Sequence, residues 1–411
     1  MRGTHRAAVF AAAVCFGLIG TAKADELSLA AQAEAPLYLQ ADTPPKPDKP
    51  LAGAMKGMGL NTGDISIYGF AEGSYTYSAS NPPNNFITGR VFDVDNQEVL
   101  LNQIDLSIEK TVDAAAAAKD GRWNVGFKIE GIYGADARFI QSNGLNFYGP
   151  GVQTSPENQF SLVQAYVDFG IPVGNGLMIR AGKMVTHMGY ETINPTTNPF
   201  YSHTYLFGYA IPFTHTGVMA FYNVTDKVTV MGGISRGWDQ ATKDNNDSID
   251  YMGQIKYVMS DKVTAYLNVI TGPEQDDNNS DYRTVLDGIV TFAASDTISL
   301  AINGDYGWEP IGADTAQWYG AAGYIGFKLC DSATINGRVE WFNDEDGARG
   351  IGDTVYEGTL GMAIKPFPND DLGSNLLIRP EVRIDYSEDG VFDSGSDNYQ
   401  VTAAVDAIIS F

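Results

Sequence analysis

Between Leu376 and Tyr386, Arg379, Glu381, Arg383 and Asp385 occupy alternate positions, with Ile378, Pro380, Val382 and Ile384 among them. Successive side chains of an extended chain point to opposite faces, so charges of both signs line one face while the other stays apolar. Such a row performs no covalent chemistry. It can order water, hold ions or sort charged solutes. Lys128 with Glu130, Arg283 with Asp287, and Arg338 with Glu340 repeat the pattern.

A second group is titratable. The histidines are His5, His187, His203 and His215, so three of the four fall close together, with Lys183 just before them and Glu191 among them. Their spacing matches no short zinc-ligand motif, and no metal or other cofactor is expected. Ser202-His203 sets a hydroxyl beside a base, but neighbours on an extended chain point apart. No Gly-x-Ser-x-Gly elbow is present either. Asp344-Glu345-Asp346-Gly347 opens like a calcium loop but lacks the downstream acid.

These residues need elements to hold them, and the pattern from Asp64 onward is period two. Leu100, Ile104, Leu106 and Ile108 oppose Gln103, Asp105, Ser107 and Glu109. Trp123, Val125, Phe127, Ile129 and Tyr133 oppose Asn124, Lys128 and Glu130. Short breaks at 171–174, 224–227, 260–262, 295–297 and 330–332 alternate with longer, acidic, Gly/Asn-rich ones. The long set covers 80–98, 137–158, 187–213, 239–248, 273–281, 345–352 and 387–397. The segments between breaks number about sixteen, an even count, with no apolar run long enough for a transmembrane helix.

The expected fold is therefore all-β: a transmembrane antiparallel up-and-down barrel with short periplasmic turns and long outer loops. A soluble sandwich also has period-two strands, but it rarely holds so many. Aromatics near strand ends, among them Tyr222, Trp238, Tyr282, Phe292, Tyr306, Trp308, Trp318, Tyr356 and Tyr399, suit interfacial girdles. The last strand alternates from Tyr399 to a terminal Phe411, which fits an assembly signal read by outer-membrane machinery.

Composition narrows the function. The chain has 411 residues, 18% charged, and a formal net charge of −24. That excess of acid argues against a nucleic-acid partner. Residues 1–24 read as a signal peptide: Arg2 and Arg6 precede a small, apolar run that ends at Ala22-Lys23-Ala24. Its removal leaves a charge of −27 and a lone Cys330, so no internal disulfide is available. Residues 25–63 form a Pro-rich periplasmic leader, a tether, a plug or a disordered linker, and 64–411 the barrel.

One stretch carries a resemblance. Gly182-Lys183-Met184, Gly189-Tyr190-Glu191, Asn194-Pro195, Asn198-Pro199-Phe200-Tyr201-Ser202 and Pro212-Phe213-Thr214-His215-Thr216-Gly217-Val218 follow one another in a familiar order. With Tyr68-Gly69-Phe70, this resembles the OmpL-like family of β-barrel porins. The resemblance implies a passive outer-membrane channel and fixes no solute.

A barrel this wide leaves an aqueous lumen unless it is plugged. The expectation is a porin for small hydrophilic solutes or ions, with segment 187–213 folded inward as a constriction. Lys183, His187, Glu191 and His203 would stand at that constriction. Lys128, Glu130, Arg283, Asp287, Arg338, Glu340, Arg379, Glu381, Arg383 and Asp385 would line the pore. Acidic outer loops would favour cations. Expected partners are the lipid bilayer, lipopolysaccharide and the assembly machinery, with a homotrimer by analogy among porins. A tethered structural barrel and a barrel-borne hydrolase are the alternatives.

Overall fold

A computed structural model describes Leu51 and residues 64–80, 82–145, 156–370, 373–393 and 395–411. The signal peptide, the leader apart from Leu51, and part of the 137–158 loop lie outside the described residues.

Sixteen strands make one closed antiparallel barrel. They are β1 (Ser66–Ser78), β2 (Val99–Lys110), β3 (Asn124–Gly134), β4 (Gln159–Ile171), β5 (Leu177–Val185), β6 (Thr214–Asn223), β7 (Val228–Ser235) and β8 (Asp250–Ser260). Then follow β9 (Val263–Pro273), β10 (Tyr282–Ala293), β11 (Ile298–Ile311), β12 (Asp314–Cys330), β13 (Ala333–Asn343), β14 (Thr354–Ile364), β15 (Leu376–Ser387) and β16 (Tyr399–Ser410). Each pairs with its neighbours in sequence, and β16 closes onto β1. Gly69 and Phe411 exchange backbone hydrogen bonds of 3.0 and 2.9 Å at that seam, so the last residue completes the ladder. A sandwich would leave edges, and this sheet has none. Closure is what lets strands stand in lipid, where unpaired backbone groups find no water.

The alternation sorts the two faces as expected. On β15, Arg379, Glu381, Arg383 and Asp385 are buried inside, while Val382 and Ile384 stand exposed outside. Val339 and Leu360, on the outer face of neighbouring strands, are 66% and 65% exposed, a surface that lipid covers.

Three expectations need correction. Leu100 faces inward, not outward. The β1–β2 ladder slips between Glu72 and Gly73, so Asn102 is an extra residue and parity reverses before it. Trp318 and Trp238 are buried inside rather than set in a girdle. The belt on β11–β16 keeps Tyr306, Trp308, Tyr356 and Tyr399 of the expected set and adds Tyr319, Trp341 and Tyr386. Short and long connections also do not alternate strictly. β11 and β12 join through Gly312-Ala313 at the long-loop end. At the short-turn end the β2–β3 connection carries α1 (Ala114–Asp120), capped by the Asp113 carboxylate.

Candidate functional site

Residues 186–213, between β5 and β6, run inside the barrel, where they contact inward-facing side chains around most of the wall. Thr186 N–H donates to Phe213 O at 2.9 Å and ties the two ends of the segment together. Gly189 turns the chain with φ +83°, and a Cβ there would meet Ile211 Cδ1 at 2.5 Å. Asn194 caps a 3-10 turn at Pro195–Thr197, and a π turn follows at Leu206–Ala210. Backbone this irregular leaves N–H and C=O groups that must find partners elsewhere.

The wall of β13–β16 supplies them with charge. Glu381 accepts the N–H groups of Tyr201 (2.9 Å) and Ser202 (3.2 Å). Glu340 accepts those of Tyr205 and Leu206, both at 2.8 Å. Arg379 donates to the carbonyls of Pro195 and Asn198, at 2.8 and 2.7 Å, and pairs with Asp406. Arg338 donates to Ser202 O (2.7 Å) and pairs with Glu191 and Glu357, each at 2.8 Å. Arg383 donates to His203 O and pairs with Asp385, which also receives Arg90 and the Tyr205 hydroxyl. Charge-assisted bonds of this kind are short and strong.

The wall of β5–β12 holds the segment by apolar packing. Each of these strands gives at least one inward side chain to a single cluster, Met184, Met219, Met231, Met252, Ile270, Val285, Ala301 and Trp318, to which β12 adds Ala322 and Tyr324, and β13 and β14 add Phe342 and Val355. Met188, Leu206, Ala210 and Ile211 of the segment belong to the same cluster. The Trp318 indole N–H also donates to Ala210 O at 3.1 Å.

Of the four residues assigned to the constriction, Glu191 and His203 come together beneath Arg338. Glu191 accepts from Arg338, Thr204 N–H and the Tyr324 hydroxyl. Burial pushes its carboxyl up, but the Arg338 guanidinium and the Thr204 N–H, with the other groups around it, together hold it below its ordinary value. The His203 ring packs on Phe207 and Phe92, with Nε2 3.0 Å from the Asn198 amide. Burial lowers its pKa to about 4. Lys183 and His187 sit elsewhere. Lys183 Nζ donates to Val163 O, and His187 Nε2 lies 3.3 Å from Val269 O.

All the residues assigned to the wall face inward, but open water is not what most of them meet. Arg338 and Arg383 are 2% and 0% exposed, because the segment covers them. Lys128 pairs with Glu130 at 2.6 Å, Arg283 with Glu309 at 2.8 Å, and Asp287 accepts from the Asn268 and Asn303 amides. Sequence reasoning missed Glu357 and Glu72, which the same alternation would have found. It also missed Arg90 and Asp93, which lie on a loop with no period to read.

The arrangement offers no nucleophile–base pair at Ser202-His203. The Ser202 hydroxyl accepts from Arg338, and the imidazole turns to Asn198 and Thr192. The Asp344 carboxylate is likewise taken, by the N–H groups of Arg349, Ile351 and Gly352. A segment held across a closed barrel can act on what passes by size, charge and hydration.

Known proteins share this architecture. The outer-membrane channel DcaP of Acinetobacter baumannii superposes with a TM-score of 0.55 at 13% identity, covering 84% of this chain and 97% of that one. In-vitro folded OmpT, an outer membrane protein of Vibrio cholerae in its trimer form, gives 0.53 at 10% identity, covering 84% and 99%. Salmonella typhi OmpF in complex with daunomycin gives 0.55 at 13% identity, covering 84% and 97%. No curated protein sequence matches the chain. The model of the family described as "Putative beta-barrel porin-2, OmpL-like" matches residues 64–411, the whole barrel, and the chain belongs to this porin family of the outer membrane.

Proposed function

We propose that the protein is a passive channel for small hydrophilic solutes, with segment 187–213 as its constriction. The observation that carries this reading is the segment itself, tied to charged side chains on one side and packed on apolar ones on the other. A closed barrel with an inward segment needs no further chemistry to sort solutes. The polar groups at the segment, Glu191 and His203 foremost, set the local charge. The acidic outer loops, with exposed Glu345 and Asp346, impose a longer-range field that favours cations.

Residues 1–24 act as the export signal, and 25–63 as a periplasmic leader. Tyr399 and Phe411 present the strand read during assembly, and lipopolysaccharide meets the outer loops. A homotrimer is the assembly we favour, by analogy with OmpT of Vibrio cholerae in its trimer form.

The test is single-channel current across a planar bilayer, under a salt gradient, from the folded mature chain. Stable open steps with a cation-favouring reversal potential are expected. Steps with an anion-favouring potential would overturn the acidic-loop argument alone. No steps from protein shown to be folded and inserted would overturn the channel.

A further inference from the structure

The long-loop end of the barrel gathers four residues at one corner of the segment, where Trp318 and Arg349 hold the carbonyls of Ala210 and Tyr209. Arg349, between β13 and β14, lies with Cζ 5.0 Å from the Trp238 ring centroid and 5.3 Å from that of Trp318. Arg283, at the start of β10, lies over the same Trp238 ring at 4.7 Å. Two guanidiniums thus share one indole. Arg283 is neutralised by Glu309 at 2.8 Å, but among the described residues Arg349 forms no ion pair. Its Nε donates to Tyr209 O at 2.5 Å.

The carboxylates nearby are engaged elsewhere. Glu309 takes Arg283 and the Gln275 amide. Glu274 takes the Trp238 backbone N–H. Asp344 takes three backbone N–H groups of its own loop. The Trp238 indole N–H is meanwhile buried without an acceptor. This corner therefore has, among the described residues, a guanidinium without a direct ion pair and an indole donor without an acceptor. Burial, with Arg283 beside it, pushes the Arg349 guanidinium down to about 10, against the pull of Glu309, Asp344 and Glu274.

We propose that Arg349, Arg283 and Trp238 form a niche for a small oxyanion, the carboxylate or phosphate group of a solute entering from the loop side. The planar fork of a guanidinium matches such a group, and aromatic faces on the guanidinium leave its donor edge free to bind. The surrounding acid disfavours loosely held anions, so retention comes from this geometry and not from the general field.

The proposal deepens the channel reading, yet binding is measured without conduction. Conduction without binding removes the niche alone, and binding without conduction removes the channel alone. The experiment is equilibrium dialysis of the full chain, folded in detergent, against labelled inorganic phosphate and separately against labelled succinate. Sodium chloride keeps the ionic strength constant. One saturable site is expected for at least one probe, and the arm that saturates names the oxyanion. Arg349→Gln should weaken it about tenfold, with Arg349→Lys in between, as loss of a charge-assisted fork implies. Trp238→Phe, which keeps a ring and removes the indole donor, should weaken it by a smaller factor. Absence of saturable binding, or wild-type affinity in Arg349→Gln, overturns the niche. Should Arg349→Gln not fold, wild-type affinity in both Arg349→Lys and Trp238→Phe overturns it equally.

Discussion

The two sides of the lumen hold one segment by opposite means. On β13–β16, carboxylates accept backbone N–H groups from the segment and arginines donate to its carbonyls. On β5–β12, methionine, isoleucine, valine and tryptophan side chains pack against its apolar residues. The charged side is directional: each bond specifies one atom of the segment. The apolar side is less so, with a few uncharged bonds such as Trp318 N–H to Ala210 O and Gln254 to His187 O, and Met fills irregular gaps readily. We read the first as setting the path of the segment and the second as excluding water behind it. A buried charge without its partner costs about 3–5 kcal/mol, and a truncated buried side chain about 2–5 kcal/mol.

Breaking the charged side should have the largest effect. Arg338→Ala strips the ion-pair partner from Glu191, leaves Glu357 only the longer pair with Arg383 and removes a donor from Ser202 O. It should lower stability by about 3–5 kcal/mol, as loss of one member of a buried ion pair does. Urea unfolding in detergent reads the stability, and single-channel recording should show a larger conductance as the segment detaches.

On the apolar side, Ile270→Ala leaves a cavity and should cost about 2–5 kcal/mol. Its conductance should change little, because the charged clamps keep their hold. If Ile270→Ala widened the channel as much as Arg338→Ala, the division of labour between the two sides would collapse.

Glu381→Gln is a finer probe. It keeps the shape but removes the charge that receives Tyr201 and Ser202 N–H, and should cost about 1–2 kcal/mol.

The remaining effect is a pH slope. Burial holds His203 neutral with a pKa near 4, whereas in the unfolded chain it titrates near an ordinary ~6.5. Between those values the unfolded chain binds the proton and the native chain refuses it. His203 therefore contributes stability that is present above about pH 6.5 and lost as pH falls toward 4. His203→Asn should flatten the stability–pH curve in that window, and an unchanged slope would show the ring accessible to protons.

Much of this architecture was legible in the residue order. Arg379 to Asp385 lie on one face of β15 because strand side chains alternate, whatever the rest of the chain does. Glu340 and Arg338 follow the same rule. The reading failed where one residue altered parity. Asn102 is an extra residue in its ladder, and no local signal marks it, so Leu100 was placed on the wrong face. Trp318 was assigned to a girdle because an aromatic near a strand end suits either face, and only its buried indole bond to Ala210 O tells them apart. Gly182, Gly189 and Asn194 were recognised as a motif before their work was visible. Gly189 makes a turn that a side chain would obstruct, and Asn194 starts a 3-10 turn within the lumen.

Period, turn composition and the balance of charge are short-range properties, and they sufficed for the barrel, its strand number and its family likeness. Which carboxylate meets which backbone N–H depends on closure. Glu340 and Tyr205 are 135 residues apart, and Arg379 and Pro195 are 184 apart. No local pattern encodes such pairs. They form because a closed sheet brings β13–β16 around to face the segment, and because a buried charge or backbone group must then find a partner within reach.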